Sequence, residues 1–93
     1  MVIMLMEVEF HLSGCRSLKE KRHRLLGIRD RFGKRSDIAL CESGYRDLHQ
    51  RAQWSFVVLG MERKQVLQAL SQIEEYLCSG LDAVITRLER QEI

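Results

Sequence analysis

Residues Val2 to Leu12 alternate without interruption: Val2, Met4, Met6, Val8, Phe10 and Leu12 on one side, Ile3, Leu5, Glu7, Glu9 and His11 on the other. A period of two held over eleven residues is a strand, because successive side chains point to opposite faces. One side of this strand is wholly apolar. The remainder of the chain must therefore supply a layer to cover it. With 93 residues, the chain has room for one domain around a single two-layer core, which excludes a multidomain enzyme. Hydrophobic residues at 45% and charged residues at 30% are enough to offset conformational entropy, so disorder is excluded as well.

The next segments change period. Ser13-Gly14-Cys15-Arg16 is a polar turn, and Ser17-Leu18-Lys19-Glu20 has the spacing of a capping box, so a helix starts at Ser17. Leu18, Leu25, Ile28 and Phe32 share one arc of its wheel, and Gly33 supplies a stop. Ser36 to Ser43 places Ile38, Leu40 and Glu42 opposite Ala39 and Cys41, a short second strand. Gly44 to Arg51 has no period and reads as a long hairpin connection, of the kind that often carries function. Ala52 to Leu59 alternates again, with Trp54, Phe56 and Val58 on one side. Val66, Leu70, Ile73 and Leu77 return to helical spacing, flanked by Leu67, and Gly80 stands where a left-handed cap is expected. Leu81 to Leu88 is a fourth strand, expected at a sheet edge.

The order strand, helix, strand, strand, helix, strand, joined by right-handed crossovers, predicts a ferredoxin-like α+β domain. Four antiparallel strands carry both helices on one face. The other face is left open, with Ile3, Leu5, Glu7, Glu9, His11, Val57 and Leu59 as its candidate residues. Apolar surface there is expected to pair with a second copy, giving a homodimer through the sheet.

Charge is unevenly placed. From Arg16 through Arg35 there are nine cations against Glu20 and Asp30, a local charge of +7 that leaves −5 for the rest of a chain whose total is +2. A basic helix on an acidic body is either a solvated face or a ridge for phosphates. On the second reading the candidate contacts are Lys19, Lys21, Arg22, Arg24, Arg31 and Lys34, and the partner is RNA. Lys19, Arg24, Arg31 and Lys34 fall on the exposed side, while Lys21, Arg22 and Arg29 border the apolar stripe. An aromatic RNA platform on the open sheet face is not expected, because Glu7 and Glu9 occupy it.

Enzymatic readings fare less well. Acylphosphatases share the fold and use an Arg after the first strand with an Asn elsewhere; Arg16 is in place, but the chain has no Asn. Glu7, Glu9 and His11 form a polar row better suited to a wet surface or subunit contact than to catalysis. Asp47, His49 and Arg51 are a possible small-ligand site in the long connection, or an Asp47–Arg51 pair simply pins it. Cys15, Cys41 and Cys78 are odd in number and widely spaced, which fits neither a disulfide framework nor zinc, and each reads as a small buried or half-buried apolar residue. No signal peptide or bilayer-spanning stretch is present, so a cytoplasmic, non-enzymatic protein with no cofactor, metal or membrane partner is expected.

Val8-Glu9-Phe10-His11, then Ser17-Leu18-Lys19-Glu20-Lys21-Arg22, then Glu42, Asp47 and Gln50-Arg51-Ala52 together resemble the bacterial YlxP-like proteins, a domain family of unknown function. The likeness covers nearly the whole chain, and its most specific part is Ser17 to Arg22. It implies a ferredoxin-like fold with no established activity or cofactor. The family's genes commonly neighbour those of translation initiation and ribosome maturation, which implies a ribosomal particle as partner. Two departures stand out: His49 where the family commonly has an aromatic, and no Pro in the loop after the first strand.

Overall fold

The N-terminal strand ends up in the middle of the sheet. In a computed structural model covering residues 1–93, β1 (Val2–His11) pairs antiparallel with β3 (Arg51–Gly60) on one side and with β4 (Val84–Glu92) on the other, and β2 (Ile38–Gly44) closes the far edge against β3. The strand order is β2-β3-β1-β4. Helices α1 (Leu18–Phe32) and α2 (Arg63–Ser79) complete the expected ferredoxin-like α+β arrangement.

The core follows the alternation. Met4, Met6, Val8 and Phe10 of β1 face the helices together with Trp54, Phe56 and Val58 of β3, and all are buried. They meet Leu25, Ile28 and Phe32 from α1, and Val66, Ala69, Leu70, Ile73 and Leu77 from α2. Each fully buried side chain of this size contributes roughly 1.5–3 kcal/mol, so this layer holds the fold. Trp54 and Phe56 therefore serve the core and not the open face.

The helix ends differ in detail from the sequence reading. Ser17 accepts from the Glu20 backbone N–H at 3.0 Å, but the Glu20 carboxylate turns to Arg24 instead of returning to the cap. Gly80 is right-handed, at φ −99°. Its requirement is space: a Cβ there would lie 2.6 Å from the Tyr76 ring. Positive φ occurs instead at Gly14 in the β1–α1 turn, and at Tyr45 with φ 56°. β4 begins three residues later than the spacing predicts. Leu81 and Ala83 pack on the core from the preceding connection, and the strand starts where pairing with β1 begins.

On the face away from the helices, Ile3 sits opposite Leu59 and Leu5 opposite Val57, forming an apolar end. Farther along, Glu9 forms long ion pairs with Arg51 at 3.8 Å and Arg87 at 3.9 Å, and Gln53 donates to Glu7 at 3.1 Å. Cys41 and Cys78 are exposed, unlike the buried or half-buried positions expected; only Cys15 is buried. No group of three or more His, Cys, Asp or Glu side chains is close enough to hold a metal ion. No helix is long and apolar enough to cross a membrane.

Candidate functional site

α1 lies along the β2 edge, and the space between them is shaped by a side chain that the sequence places at the border of the apolar stripe and counts among the phosphate contacts. Lys21 is 2% exposed. Its Nζ donates to the carbonyl oxygens of Tyr45, Arg46 and Arg51 at 3.0, 3.3 and 3.2 Å, and stands 2.9 Å from Glu42 Oε2. An ammonium has three protons, here facing four acceptors. The carbonyls take them, and Glu42 neutralises the charge without an aligned hydrogen bond of its own.

Local sequence explains how these groups meet. Lys21 falls on the buried stripe with Leu25, Ile28 and Phe32. Glu42 shares the helix side of β2 with Ile38 and Leu40, opposite Trp54. A bulge between Glu42 and Gly44 then re-aims the chain into the connection. Lys21, expected among the phosphate contacts, is instead engaged by internal acceptors: it is the pin that holds residues 45–51 against α1. The Asp47–Arg51 pair does not form. Arg51 instead stacks on Tyr45, 3.9 Å from the ring centroid, and lies 3.8 Å from Glu9.

Arg24 is the second correction. Its Nε donates to the Asp82 carbonyl at 2.9 Å and meets Asp82 Oδ2 at 3.2 Å, while Nη1 donates to the Ser13 carbonyl at 2.9 Å and meets Glu20 at 3.4 Å. It ties Ser13, before α1, and Asp82, before β4, to the helix, and its half-buried side chain lies against the body instead of on the exposed side expected for it. The other candidates remain on the surface. Lys19, Arg22 and Lys34 are exposed, and Arg31 is exposed with its guanidinium 4.7 Å from the Tyr76 ring centroid.

The ion pairs sort the fifteen cations. Lys21, Arg24, Arg35, Arg51, Arg63, Arg87 and Arg90 each have a carboxylate partner. The other eight are Arg16, Lys19, Arg22, Arg29, Arg31, Lys34, Arg46 and Lys64, and every one is exposed. Only Lys64, on α2, lies away from α1, its flanks and the connection facing it.

Beside the Lys21 pin runs a groove of about 530 Å³ lined by Leu18, Arg22, Arg29, Glu42, Arg46, Asp47 and Trp54 among others. Leu18, Arg22 and Arg29 occupy one helical stripe, four and seven residues apart. The Arg29 guanidinium lies 5.2 Å from the Trp54 ring centroid. The Trp54 indole Nε1 is buried without a hydrogen-bond partner. The sequence shows the Arg22–Arg29 spacing, but Arg46 and Trp54 join them only through the loop path and the β2–β3 register. Asp47, His49 and Arg51 do come together, with His11 and Cys15, around a separate shallow depression on the other side of the connection.

Among solved structures, the chain is similar to one titled "Solution structure of SecDF periplasmic domain P4", at 12% identity over 98% of this chain and 88% of that one, with a TM-score of 0.46. A search of curated proteins finds no match. What the sequence itself matches is an uncharacterised family: the sequence model described as "Protein of unknown function (DUF503)" spans residues 3–90, from β1 well into β4, and the chain belongs to that family.

Proposed function

We propose that this protein is a non-enzymatic, YlxP-like RNA-contacting module of the cytoplasm whose phosphate-binding face is the outer side of α1 with its flanks. The observation that carries the reading is the distribution of cations without carboxylate partners: Arg16, Lys19, Arg22, Arg29, Arg31, Lys34 and Arg46 surround one helix, all exposed. Partnerless surface cations gathered on one side attract a polyanion without reading its sequence, because their counterions are released when phosphates replace them. A ribosomal particle is the partner that the family resemblance favours. The test is charge reversal of Lys19, Arg22, Arg29 and Lys34 to Glu, read by salt-dependent binding to ribosomal RNA and small subunits. Loss of binding in a folded variant supports the reading; unchanged binding discards it.

A second reading, oligomerisation through the open sheet face, is favoured by the apolar end formed by Ile3, Leu5, Val57 and Leu59, the last 42% exposed. Light scattering at rising concentration tests it: a second copy on this face gives twice the chain mass, and Leu59→Glu restores the monomer. A monomer throughout removes this reading and leaves the first untouched.

A further inference from the structure

We infer that the groove between α1 and the β2–β3 connection is a nucleotide site, seating a phosphate among Arg22, Arg29 and Arg46 and an aromatic base beside Trp54. The groove's volume of about 530 Å³ is in the range of small-molecule pockets. A narrower hollow of about 130 Å³ adjoins it, sharing Lys21, Arg22, Arg29, Glu42 and Trp54 and adding Leu25 and Leu26.

The lining chemistry selects the ligand class. Three guanidiniums without carboxylate partners call for anionic oxygens, and Arg forks suit phosphate. A bare anion does not account for the rest. Asp47 also lines the groove without an ion-pair partner and would repel it. Glu42 and Asp47 instead offer acceptors to N–H groups, while Leu18, Leu26 and the indole supply an apolar wall. A nucleotide carries all three complements in one molecule: phosphate oxygens, base N–H donors and a flat ring. The Trp54 Nε1 adds a buried donor with no partner in the protein, an uncommon condition that an acceptor on the ligand relieves.

Arg29 shows where the base goes. Unpaired bases stack on aromatic rings and on Arg guanidinium planes, and here one of each faces the other. Two contact distances of roughly 3.5 Å place the guanidinium about 7 Å from the indole, so Arg29 moves outward by about 2 Å from its 5.2 Å position to admit a ring. It is exposed and has no ion pair to break. The helix fixes the Arg22 backbone and the Lys21 ammonium holds the Arg46 backbone through its carbonyl, so both exposed guanidiniums reach the groove from anchored main chain.

This inference shares Arg22, Arg29 and Arg46 with the RNA reading but does not need Lys19 or Lys34, and the titration below separates a free nucleotide from an unpaired residue of RNA. Trp54 is the only tryptophan, so its fluorescence and its single indole N–H resonance report on the groove directly. The full chain is titrated with adenosine and cytidine monophosphates, a short single-stranded oligoribonucleotide, and inorganic phosphate. A saturable Trp54 shift with a monophosphate assigns a free-nucleotide site, and a shift with the oligoribonucleotide alone assigns an RNA nucleotide; both support the inference. Arg46→Glu and Arg29→Ala, which alter exposed side chains, are expected to weaken that binding by about tenfold or more. In Lys19→Glu/Lys34→Glu, RNA affinity falls while any monophosphate signal stays; unchanged RNA affinity there counts against the helix face alone. The inference is overturned if neither nucleotide form shifts Trp54, if inorganic phosphate shifts it equally at the same concentration, or if Arg46→Glu binds as tightly as the parent.

Discussion

The buried ammonium of Lys21 has two jobs, neutralising Glu42 and closing off three loop carbonyls, and both fail together when it is removed. Lys21→Met leaves a carboxylate facing a desolvated wall and three acceptors without donors, so unfolding in urea is expected to show a loss of about 3 kcal/mol, the lower end for a broken buried pair because Glu42 is partly exposed. A loss under 1 kcal/mol would mean that the loop holds itself. Surface carboxylates set a separate dependence. The Arg35 guanidinium, bonded to both Asp37 oxygens at 3.1 and 2.8 Å, holds the Asp37 carboxyl below its ordinary range, and Arg63 does the same for Glu92. A depressed carboxylate stabilises the fold above its unfolded pKa of roughly 4 and loses that contribution as pH falls through the folded value. Acid titration of stability should therefore show a limb below about pH 4 that Asp37→Asn partly flattens; an unchanged limb would assign it to other groups. Lys21 itself was only half legible in the sequence. Its place beside the apolar stripe could be read from spacing, but its acceptors are backbone carbonyls of a segment with no period, brought beneath the helix by a bulge.

Packing between the two helices turns on Tyr76, which lies between two glycines. A Cβ on Gly27 would fall 1.8 Å from the Tyr76 hydroxyl, and one on Gly80 would fall 2.6 Å from its ring. The ring also meets Phe32 edge-on at 5.7 Å. Gly27→Ala thus sets a helix-propensity gain of about 1 kcal/mol against an overpacking cost of about 1–3 kcal/mol. A net loss of about 1 kcal/mol in thermal or urea unfolding is expected, and a gain would show that Tyr76 swings aside freely. Elements with one apolar side announced themselves: β1, β3 and the α2 stripe lie where their periods put them. β4 was harder, since an edge strand with Thr86, Arg87, Glu89 and Arg90 in water carries little alternation, and its start is fixed by register with β1. Helix ends were legible as positions but not as geometry, because Gly33 and Gly80 stop their helices in right-handed conformations.

For the molecule as a whole, the sequence revealed the +7 segment but could not say which charges stay available. Three of the nine cations, Lys21, Arg24 and Arg35, are taken by internal partners, and Arg46 joins the remainder from outside the segment. If about six of these cations meet single-stranded RNA, log affinity should fall with log salt at a slope near −4, and the Lys19→Glu/Lys34→Glu variant should be shallower by at least about 1.4. A slope near zero would place the interaction elsewhere. The groove was less legible than the charge, since it exists only where helix, edge strand and connection converge. One topological feature reaches beyond binding. The first strand takes its second neighbour from the last, with Met4 opposite Glu92. During vectorial synthesis, an apolar ribbon made before either of its neighbours must wait, one flank unzipped, until translation has passed residue 92. Nascent chains halted before β4 has emerged should be open to protease and chaperone alike along that unpaired flank.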